Sequence, residues 1–298
     1  MKQLFLLLAA AMIFSKINGQ DSIGLKIDSL TVSMNPSGNS NPYALIAGGS
    51  KGIGYALAEA LAKRKYNLVL IARGMDSLIA AKQKLESAYG IHVDILSYDL
   101  SLEQSQKEVA DWCIQRDLPL KMLCNVAGFG GSKDYLSIPL EQTRYMIELN
   151  LEMPAAMTQL LLPLLEKNKP AYVLNVASMA AFAPIPIKNM YSASKAGVLY
   201  FSYALRYQLK DKDISVSCLA PGPVFTKPEI VKETKKQLGW LGMKMEVSPD
   251  RVGEIAIRKT LRGRMIIVPG TLASLMSGFL RVMPKRWSAR MYHRVGKK

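Results

Sequence analysis

From Tyr43 onward, short apolar runs alternate with amphipathic stretches of helical length, and this alternation constrains the fold more than any other feature. The apolar runs are Tyr43–Ala47, Leu68–Ala72, His92–Ser97, Met122–Val126, Tyr172–Ala177, Ser215–Ala220 and Met265–Val268. The stretches of helical length are Gly54–Arg64, Met75–Tyr89, Leu102–Gln115, Glu141–Glu166, Asn189–Lys210 and Asp250–Arg262. Continuous apolar strands that alternate with helices are typical of a parallel sheet covered on both faces. The pattern therefore predicts one α/β domain over residues 43–268, with a doubly wound sheet of seven parallel strands.

The segments outside this domain have different compositions. Residues 1–19 contain Lys2 and an apolar run from Leu4 to Phe14, which favours a signal peptide or an uncleaved membrane-surface anchor. Residues 20–42 have the composition of a linker, and Thr226–Ser248 is predicted to be a mobile loop with some helix. Residues 269–298 are predicted to form a basic amphipathic tail.

Positive charge is concentrated at the carboxyl end of the chain. The net charge is +16, no Asp or Glu follows Glu254, and eleven basic residues lie between Arg258 and Lys298. Such a tail can bind nucleic acid or an anionic lipid surface. Apolar residues and Trp287 lie between the charges, which favours interfacial helices over a nucleic-acid groove. A tail helix packed on its own domain, with a solvated basic face, remains an open alternative.

Cysteine and histidine usage makes a metal site improbable. Cys113, Cys124 and Cys218 are widely spaced in apolar surroundings and are predicted to be buried free thiols. The only histidines are His92 and His293, too few for a His-rich metal site.

The junction between the first strand and the first helix is rich in glycine. It reads Ala47-Gly48-Gly49-Ser50-Lys51-Gly52-Ile53-Gly54. Glycines at these positions let the backbone turn tightly and approach a pyrophosphate, which the helix amino terminus then stabilises. The loop therefore predicts a dinucleotide site, with candidate contacts from Gly48, Ser50, Lys51, Gly52, Ile53 and Gly54.

The end of the second strand bears on the choice of nucleotide. An acidic residue here would bind the adenosine ribose of NAD, but the sequence reads Ala72-Arg73-Gly74. Arg73, helped by Lys51, can bind a 2′-phosphate, and this favours NADP(H) over NAD(H). Asp76 raises the opposite possibility, although capping of the next helix is its simpler role.

Two further strand ends fit the same cofactor. Asp99 and Leu100, after the third strand, are predicted to bind and cover the adenine. Asn125, Ala127 and Gly128, after the fourth strand, are predicted to pass beneath the ribose.

A tyrosine and a lysine four residues apart, with a serine at a strand end, form the candidate catalytic group. Tyr191 and Lys195 project from one face of a helix, and Ser178 follows the fifth strand. An ammonium close to a phenol lowers the phenol pKa, so Tyr191 can act as general acid to a carbonyl or base to an alcohol. Ser178 can donate a hydrogen bond to the developing oxyanion.

Taken in order, these motifs resemble the short-chain dehydrogenase/reductase family over residues 43–268. The resemblance implies a Rossmann-type fold, a nicotinamide cofactor, and a catalytic set of Asn150, Ser178, Tyr191 and Lys195. Asn150 would hold a proton-relaying water, and Tyr191 and Lys195 would also contact the cofactor. The resemblance further implies nicotinamide contacts from Pro221, Gly222, Val224 and Thr226.

Two positions depart from the family pattern. Ala47 stands where a threonine is usual, and Val126 stands where a second asparagine is usual. Both changes remove supporting hydrogen bonds rather than reacting groups, so we expect some loss of local rigidity and no loss of chemistry.

Residues expected near the reacting centre are mostly apolar and favour a hydrophobic carbonyl substrate, such as a lipid-like ketone. They are Phe129, Met179, Phe182, Pro184, Ile185 and Met190. The stretch Asn125–Gly130 and the basic tail resemble the 3-ketoacyl reductase and 17β-hydroxysteroid dehydrogenase branch. Because NADPH is an internal cofactor, we expect a membrane-associated protein on the cytoplasmic side, with homo-oligomers possible and export left open. A non-catalytic nucleotide sensor or scaffold on the same fold is the alternative.

Overall fold

The computed structural model describes residues 41–130, 135–224 and 246–296. These residues belong to one compact unit that spans residues 37–298. The predicted segment 1–19, nearly all of the linker 20–42 and most of the predicted loop Thr226–Ser248, including Thr226 itself, lie outside the described residues.

Seven parallel strands form the sheet, as the sequence pattern predicted. They are β1 (Tyr43–Ala47), β2 (Asn67–Ala72), β3 (Val93–Ser97), β4 (Leu120–Asn125), β5 (Ala171–Val176), β6 (Ile214–Leu219) and β7 (Ile266–Ile267). Their order across the sheet is β3-β2-β1-β4-β5-β6-β7. The order reverses direction between β1 and β4, which is where doubly wound sheets open a crevice for a ligand. The predicted fold class is therefore confirmed.

Helices follow the strands along the chain and cover both faces of the sheet. They are α1 (Gly52–Ala62), α2 (Met75–Tyr89), α3 (Glu103–Gln115), α4 (Leu140–Ile147), α5 (Met153–Lys167), α6 (Asn189–Gln208), α7 (Pro249–Leu261), α8 (Thr271–Val282) and α9 (Lys285–Gly296). One apolar core joins one face of the sheet to Leu57 of α1, Leu78 of α2 and Val252 of α7. A second core joins the other face to Val109 of α3 and Met157 of α5.

The long helix predicted over Glu141–Glu166 is interrupted. A π-helical turn, Glu148–Glu152, lies between α4 and α5 and contains the buried Asn150. A π-turn is rare and is often found at functional sites, because the extra residue redirects side chains and backbone groups. No hydrophobic period in the sequence distinguishes such a turn from a continuous helix, which explains the missed interruption.

The three cysteines are buried and free, as predicted. Burial raises the pKa of Cys113 to about 12 and that of Cys218 to about 11. These thiols are therefore packing groups rather than nucleophiles at neutral pH.

The basic carboxyl-terminal tail forms α8 and α9 and packs against the domain through one face. Ala273, Ser277 and Leu280 of α8 and Ser288 of α9 are buried. Lys285 Nζ donates a hydrogen bond to the Phe182 carbonyl at 2.7 Å, and the Arg281 guanidinium lies 4.4 Å from the centroid of the Phe182 ring. Among the described residues, no helix combines the length and apolar character needed to cross a bilayer.

Candidate active site

Many of the predicted site residues that the structure describes lie in the loops after β1, β4, β5 and β6. The loop after β1 lies against the segment after β4, since the amides of Val126 and Ala127 both donate to the Ala47 carbonyl. The loop after β5 lies against the segment after β6, since the Met179 amide donates to the Pro221 carbonyl at 3.0 Å. The parallel topology therefore places these four loops along the same edge of the sheet.

The glycine-rich loop needs its glycines for steric reasons. Gly48 has a φ of +91°, and a Cβ there would lie 2.8 Å from the amide nitrogen of Ala127. A Cβ on Gly54 would lie 1.9 Å from the Gly48 carbonyl oxygen. The glycines therefore allow close packing of the loop on itself and on the segment after β4, and helix α1 begins at the end of this loop, at Gly52. This glycine cradle, a tight loop that ends at a helix amino terminus, fits a pyrophosphate through the polarity of the helix.

Arg73 lies at the open end of this cradle. Its side chain is 68% exposed, and its Nη1 lies 3.7 Å from Asp99 Oδ2. The other Asp99 oxygen, Oδ1, accepts hydrogen bonds from the Ser101 amide and the Ser101 hydroxyl. The guanidinium also lies 5.9 Å from the centroid of the Tyr145 ring. A 2′-phosphate could therefore bind Arg73 without breaking a close ion pair.

Two sequence-based expectations in the cofactor region need correction, for Asp76 and Leu100, and the structure adds detail to a third, for Asn125. The Asp76 side chain does not cap α2: the N-cap residue is Gly74, and Asp76 lies in the first turn. The Leu100 side chain packs into the core instead of covering the groove, so only its backbone remains available to an adenine. The Asn125 side chain is buried and donates to Asn175 Oδ1 at 2.8 Å, which leaves its backbone as the part that can pass beneath a ribose.

Tyr191, Lys195 and Ser178 form one group, as their spacing predicted. Tyr191 and Lys195 lie on α6, and Ser178 begins the short 3-10 turn Met179–Phe182 that follows β5. Ser178 forms a hydrogen bond with Tyr191 that favours the charged phenolate. Among the described residues, Lys195 Nζ donates one hydrogen bond, to the Val176 carbonyl at 2.9 Å.

The electrostatics of this group differ from the sequence-based expectation in one respect. Burial raises the pKa of Tyr191 above its ordinary value, and the hydrogen bond with Ser178 opposes that rise. Lys195 was expected to lower the Tyr191 pKa, but its ammonium lies 6.0 Å from the centroid of the phenol ring. Burial lowers the pKa of Lys195 itself from 10.5 to about 8. The same desolvation acts on both groups and favours their neutral forms.

Asn150 fastens the π-turn to the loop after β4. Its Oδ1 accepts from the Phe129 amide at 2.7 Å, and its Nδ2 donates to the Phe129 carbonyl and the Ser194 hydroxyl. A Cβ on Gly128 would lie 3.1 Å from Asn150 Oδ1 and 3.2 Å from Lys195 Nζ. A side chain at position 128 would therefore crowd both the Asn150 amide and the lysine ammonium.

Sequence reasoning missed a buried polar network below the site. Asn175 of β5 accepts from Asn125 and donates to the Ser202 hydroxyl of α6 at 3.0 Å. Ser202 in turn donates to the Val198 carbonyl. Asn175 and Ser202 carry no local signal, since an asparagine in an apolar strand and a serine in a helix are both common.

The expected apolar lining is also partly different. Phe182 is only 4% exposed, and its ring lies under Arg281 of the tail, so it belongs to the wall behind the site. Phe129 packs edge-to-face on Tyr145, with ring centroids 5.5 Å apart. Met179, Ile185 and Met190 are half-buried, and Pro184 is exposed.

Of the predicted nicotinamide contacts, Pro221 and Val224 are buried and Gly222 is half-buried at the end of β6. Thr226 lies outside the described residues.

Comparison with known proteins agrees with this arrangement. A sequence model of the short chain dehydrogenase family matches residues 42–238. The chain is 31% identical over 189 residues to mouse very-long-chain 3-oxoacyl-CoA reductase, a match that covers 62% of this chain and 60% of the relative. It is 33% identical over 187 residues to human 17-beta-hydroxysteroid dehydrogenase type 3, covering 62% of this chain and 59% of the relative. The chain therefore spans about three fifths of the length of these curated relatives.

Solved structures share the fold. A 7beta-hydroxysteroid dehydrogenase superposes with a TM-score of 0.76 at 19% identity, over 85% of this chain and 96% of that chain. A short-chain dehydrogenase from Sphingobium yanoikuyae in complex with NADPH gives a TM-score of 0.68 at 25% identity, over 82% of this chain and 96% of that chain.

Proposed function

Because the chain belongs to the short-chain dehydrogenase/reductase family, we propose that it is an NADP(H)-dependent oxidoreductase. It would reduce a ketone, or oxidise a secondary alcohol, on a hydrophobic and lipid-like substrate. The observation that carries the proposal is the convergence of Ser178, Tyr191 and Lys195 beside the glycine cradle.

The residues present fit a nicotinamide dinucleotide. Gly48, Gly52 and Gly54 would hold the pyrophosphate, because they form the tight loop that ends at the amino terminus of α1. Lys195 has further N–H donors beyond the one given to Val176, and these would hold the ribose hydroxyls. When bound, the nicotinamide supplies or accepts the hydride.

The protein's own part is to move and hold the proton. Tyr191 would give its phenol proton to the substrate oxygen during reduction and accept it from the hydroxyl during oxidation. Ser178 would hold the same oxygen through its hydroxyl. The raised pKa keeps Tyr191 protonated at neutral pH, so the proton needed for reduction is present, and a Lys195 with a pKa of about 8 can exchange protons near neutrality.

Asn150 would act in this scheme as a positioning residue. Its side-chain amide is occupied by Phe129 and Ser194, so a relaying water would contact the backbone of the π-turn. This refines the role that the family resemblance implies.

Arg73 supports NADP(H) over NAD(H). The guanidinium is exposed at the end of β2, and its nearest carboxylate oxygen, on Asp99, is 3.7 Å away. A guanidinium binds phosphate in a bidentate manner, whereas the carboxylate expected for an NAD ribose is missing from this strand end. The complex of the Sphingobium relative with NADPH is consistent with this choice.

The substrate class follows from the lining and from the relatives. Met179, Ile185 and Met190 offer adaptable apolar surface near Ser178. The relatives described above are named for a very-long-chain 3-oxoacyl-CoA and for a 17-beta-hydroxysteroid. An internal cofactor and a lipid-like substrate together favour a membrane-associated protein that faces the cytoplasm.

The test is a cofactor absorbance assay on the full chain with medium-chain, 3-ketoacyl and steroid ketones. Tyr191→Phe should reduce kcat by about a hundredfold or more, because the proton donor is lost. Tyr200→Phe is the matched control, since Tyr200 lies on the same helix and is exposed. A Tyr191→Phe variant with an unchanged rate would refute the mechanism. Cofactor binding without turnover of any ketone would instead favour the nucleotide sensor or scaffold.

A further inference from the structure

We propose that the carboxyl-terminal helix pair α8–α9 is a docking surface for an anionic lipid bilayer. In this arrangement an apolar row on α8 inserts between headgroups, and arginines of α9 bind the phosphates. The proposal does not depend on the proposed function, because lipid binding is measured without cofactor or ketone.

Helix α8 is apolar on two opposite faces, and only one of them is covered. Ala273, Ser277 and Leu280 are buried against the domain. Leu275, Phe279 and Val282 are 73%, 54% and 81% exposed. At about 100° per residue, these three side chains form one stripe on the side of the helix away from the buried face. A helix that is apolar on both sides requires a second apolar partner.

Helix α9 adds a basic and aromatic face. Trp287, Arg290, Met291 and Arg294 line one surface depression. They follow the i, i+3, i+4, i+7 spacing of a single helix face. Trp287 is exposed, and tryptophan favours the level of lipid headgroups, where its ring is partly apolar and its N–H is solvated. Two arginines on the same face match the phosphates of that layer.

Charge distinguishes the bilayer from other occupants of this surface. Every charged residue after Glu254 is basic, so an anionic partner is complementary. A second copy of the chain would bring the same positive surface and would be repelled. A nucleic acid would satisfy the arginines and leave the row of Leu275, Phe279 and Val282 exposed to water. An anionic bilayer satisfies both parts.

The helix pair is held rigidly enough to orient the domain on a surface. Lys285 Nζ donates to the carbonyls of Phe182 and Leu280, and Arg281 covers the Phe182 ring. Phe182 ends the short turn that starts after Ser178. The docking surface is therefore attached to the wall of the candidate site, so a docked molecule would hold that wall next to the bilayer.

The experiment measures sedimentation of the full chain with phosphatidylcholine vesicles that contain about a third phosphatidylserine. Leu275→Ser/Phe279→Ser should weaken binding about tenfold or more, and Arg290→Glu/Arg294→Glu should weaken it to a similar extent. The matched controls are Ile114→Ser/Tyr207→Ser and Lys84→Glu/Arg251→Glu, which change exposed residues on other helices. Circular dichroism confirms that each variant is folded.

A second readout locates the contact. The emission of Trp287 should shift to shorter wavelength on binding, and Trp287→Phe should remove that component. The proposal is overturned if the α8 and α9 variants bind as tightly as their controls. It is also overturned if binding is equal on vesicles of phosphatidylcholine alone, or if the Leu275→Ser/Phe279→Ser variant changes a dimer equilibrium and leaves vesicle binding intact.

Discussion

Lys195→Met should change the pH dependence of folding stability in a way that no exposed lysine can match. Burial lowers the pKa of Lys195 from 10.5 to about 8 in the folded protein. Between these two values the unfolded chain carries the proton and the folded chain releases it. The unfolded state therefore binds more protons, and stability rises with pH across this window.

The size of the effect follows from the difference between the two pKa values. One pKa unit corresponds to about 1.4 kcal/mol, so the burial penalty below pH 8 is of order 3 kcal/mol. Replacement by methionine removes this penalty and also leaves the Val176 carbonyl without its donor. An unpaired buried carbonyl costs about 1–3 kcal/mol, so the two changes largely cancel near pH 7. The free energy of unfolding still changes with pH at a different slope in the two proteins.

The assay is urea unfolding at several pH values from 7 to 10 in about 0.1 M salt, without cofactor. The unchanged protein should gain about 3 kcal/mol relative to Lys195→Met between the low and high ends of this range. Other groups, including the buried tyrosines and cysteines, titrate in both proteins and cancel in the difference. For Lys84→Met, at an exposed position, the free energy of unfolding should change with pH in parallel with that of the unchanged protein. If the free energy of unfolding of Lys195→Met also changed with pH in parallel with that of the unchanged protein, the idea that a charged lysine is held in a desolvated site would be refuted.

Three further changes test the cofactor end and the frame of the site. Arg73→Glu should lower kcat/KM with NADPH relative to NADH by about a hundredfold, and an unchanged cofactor ratio would remove Arg73 from the phosphate site. Gly128→Ala should weaken NADPH binding measured by calorimetry, because its Cβ lies 3.2 Å from Lys195 Nζ, whereas Gly130→Ala meets nothing within 4 Å and should bind normally. Asn150→Ala should cost about 2–4 kcal/mol in urea unfolding, since both backbone groups of Phe129 lose their partner; a loss of less than about 1 kcal/mol would contradict that account.

Periodicity was sufficient to predict the sheet and its helices. Strand cores are continuous apolar runs, and most element ends differ by only one or two residues, as with the strand predicted at Leu68–Ala72 and found at Asn67–Ala72. The Gly-rich loop and the pair Tyr191 and Lys195 could be located because their chemistry depends on local spacing.

What could not be predicted depends on contacts between distant segments. Leu100 looks like a groove residue because it follows a strand, but packing against Val109 of α3 buries its side chain. The lowered pKa of Lys195 and the raised pKa of Tyr191 depend on burial, which spacing does not report. From the sequence, the basic tail could either pack on its own domain or bind a lipid surface. The structure shows that α8 packs through one face and that its opposite face is exposed.

The polar network of Asn125, Asn175 and Ser202 bears on how this protein can change over evolutionary time. Ser202 lies about two helical turns after Lys195, on the same face of α6. Rotation or sliding of α6 would leave several buried polar groups without hydrogen-bond partners at once. The network therefore fixes the position of α6, and of Tyr191 and Lys195 on it, relative to the sheet. The apolar lining after Ser178 and the tail lie outside the network. Substrate preference can therefore drift while the reaction geometry stays fixed.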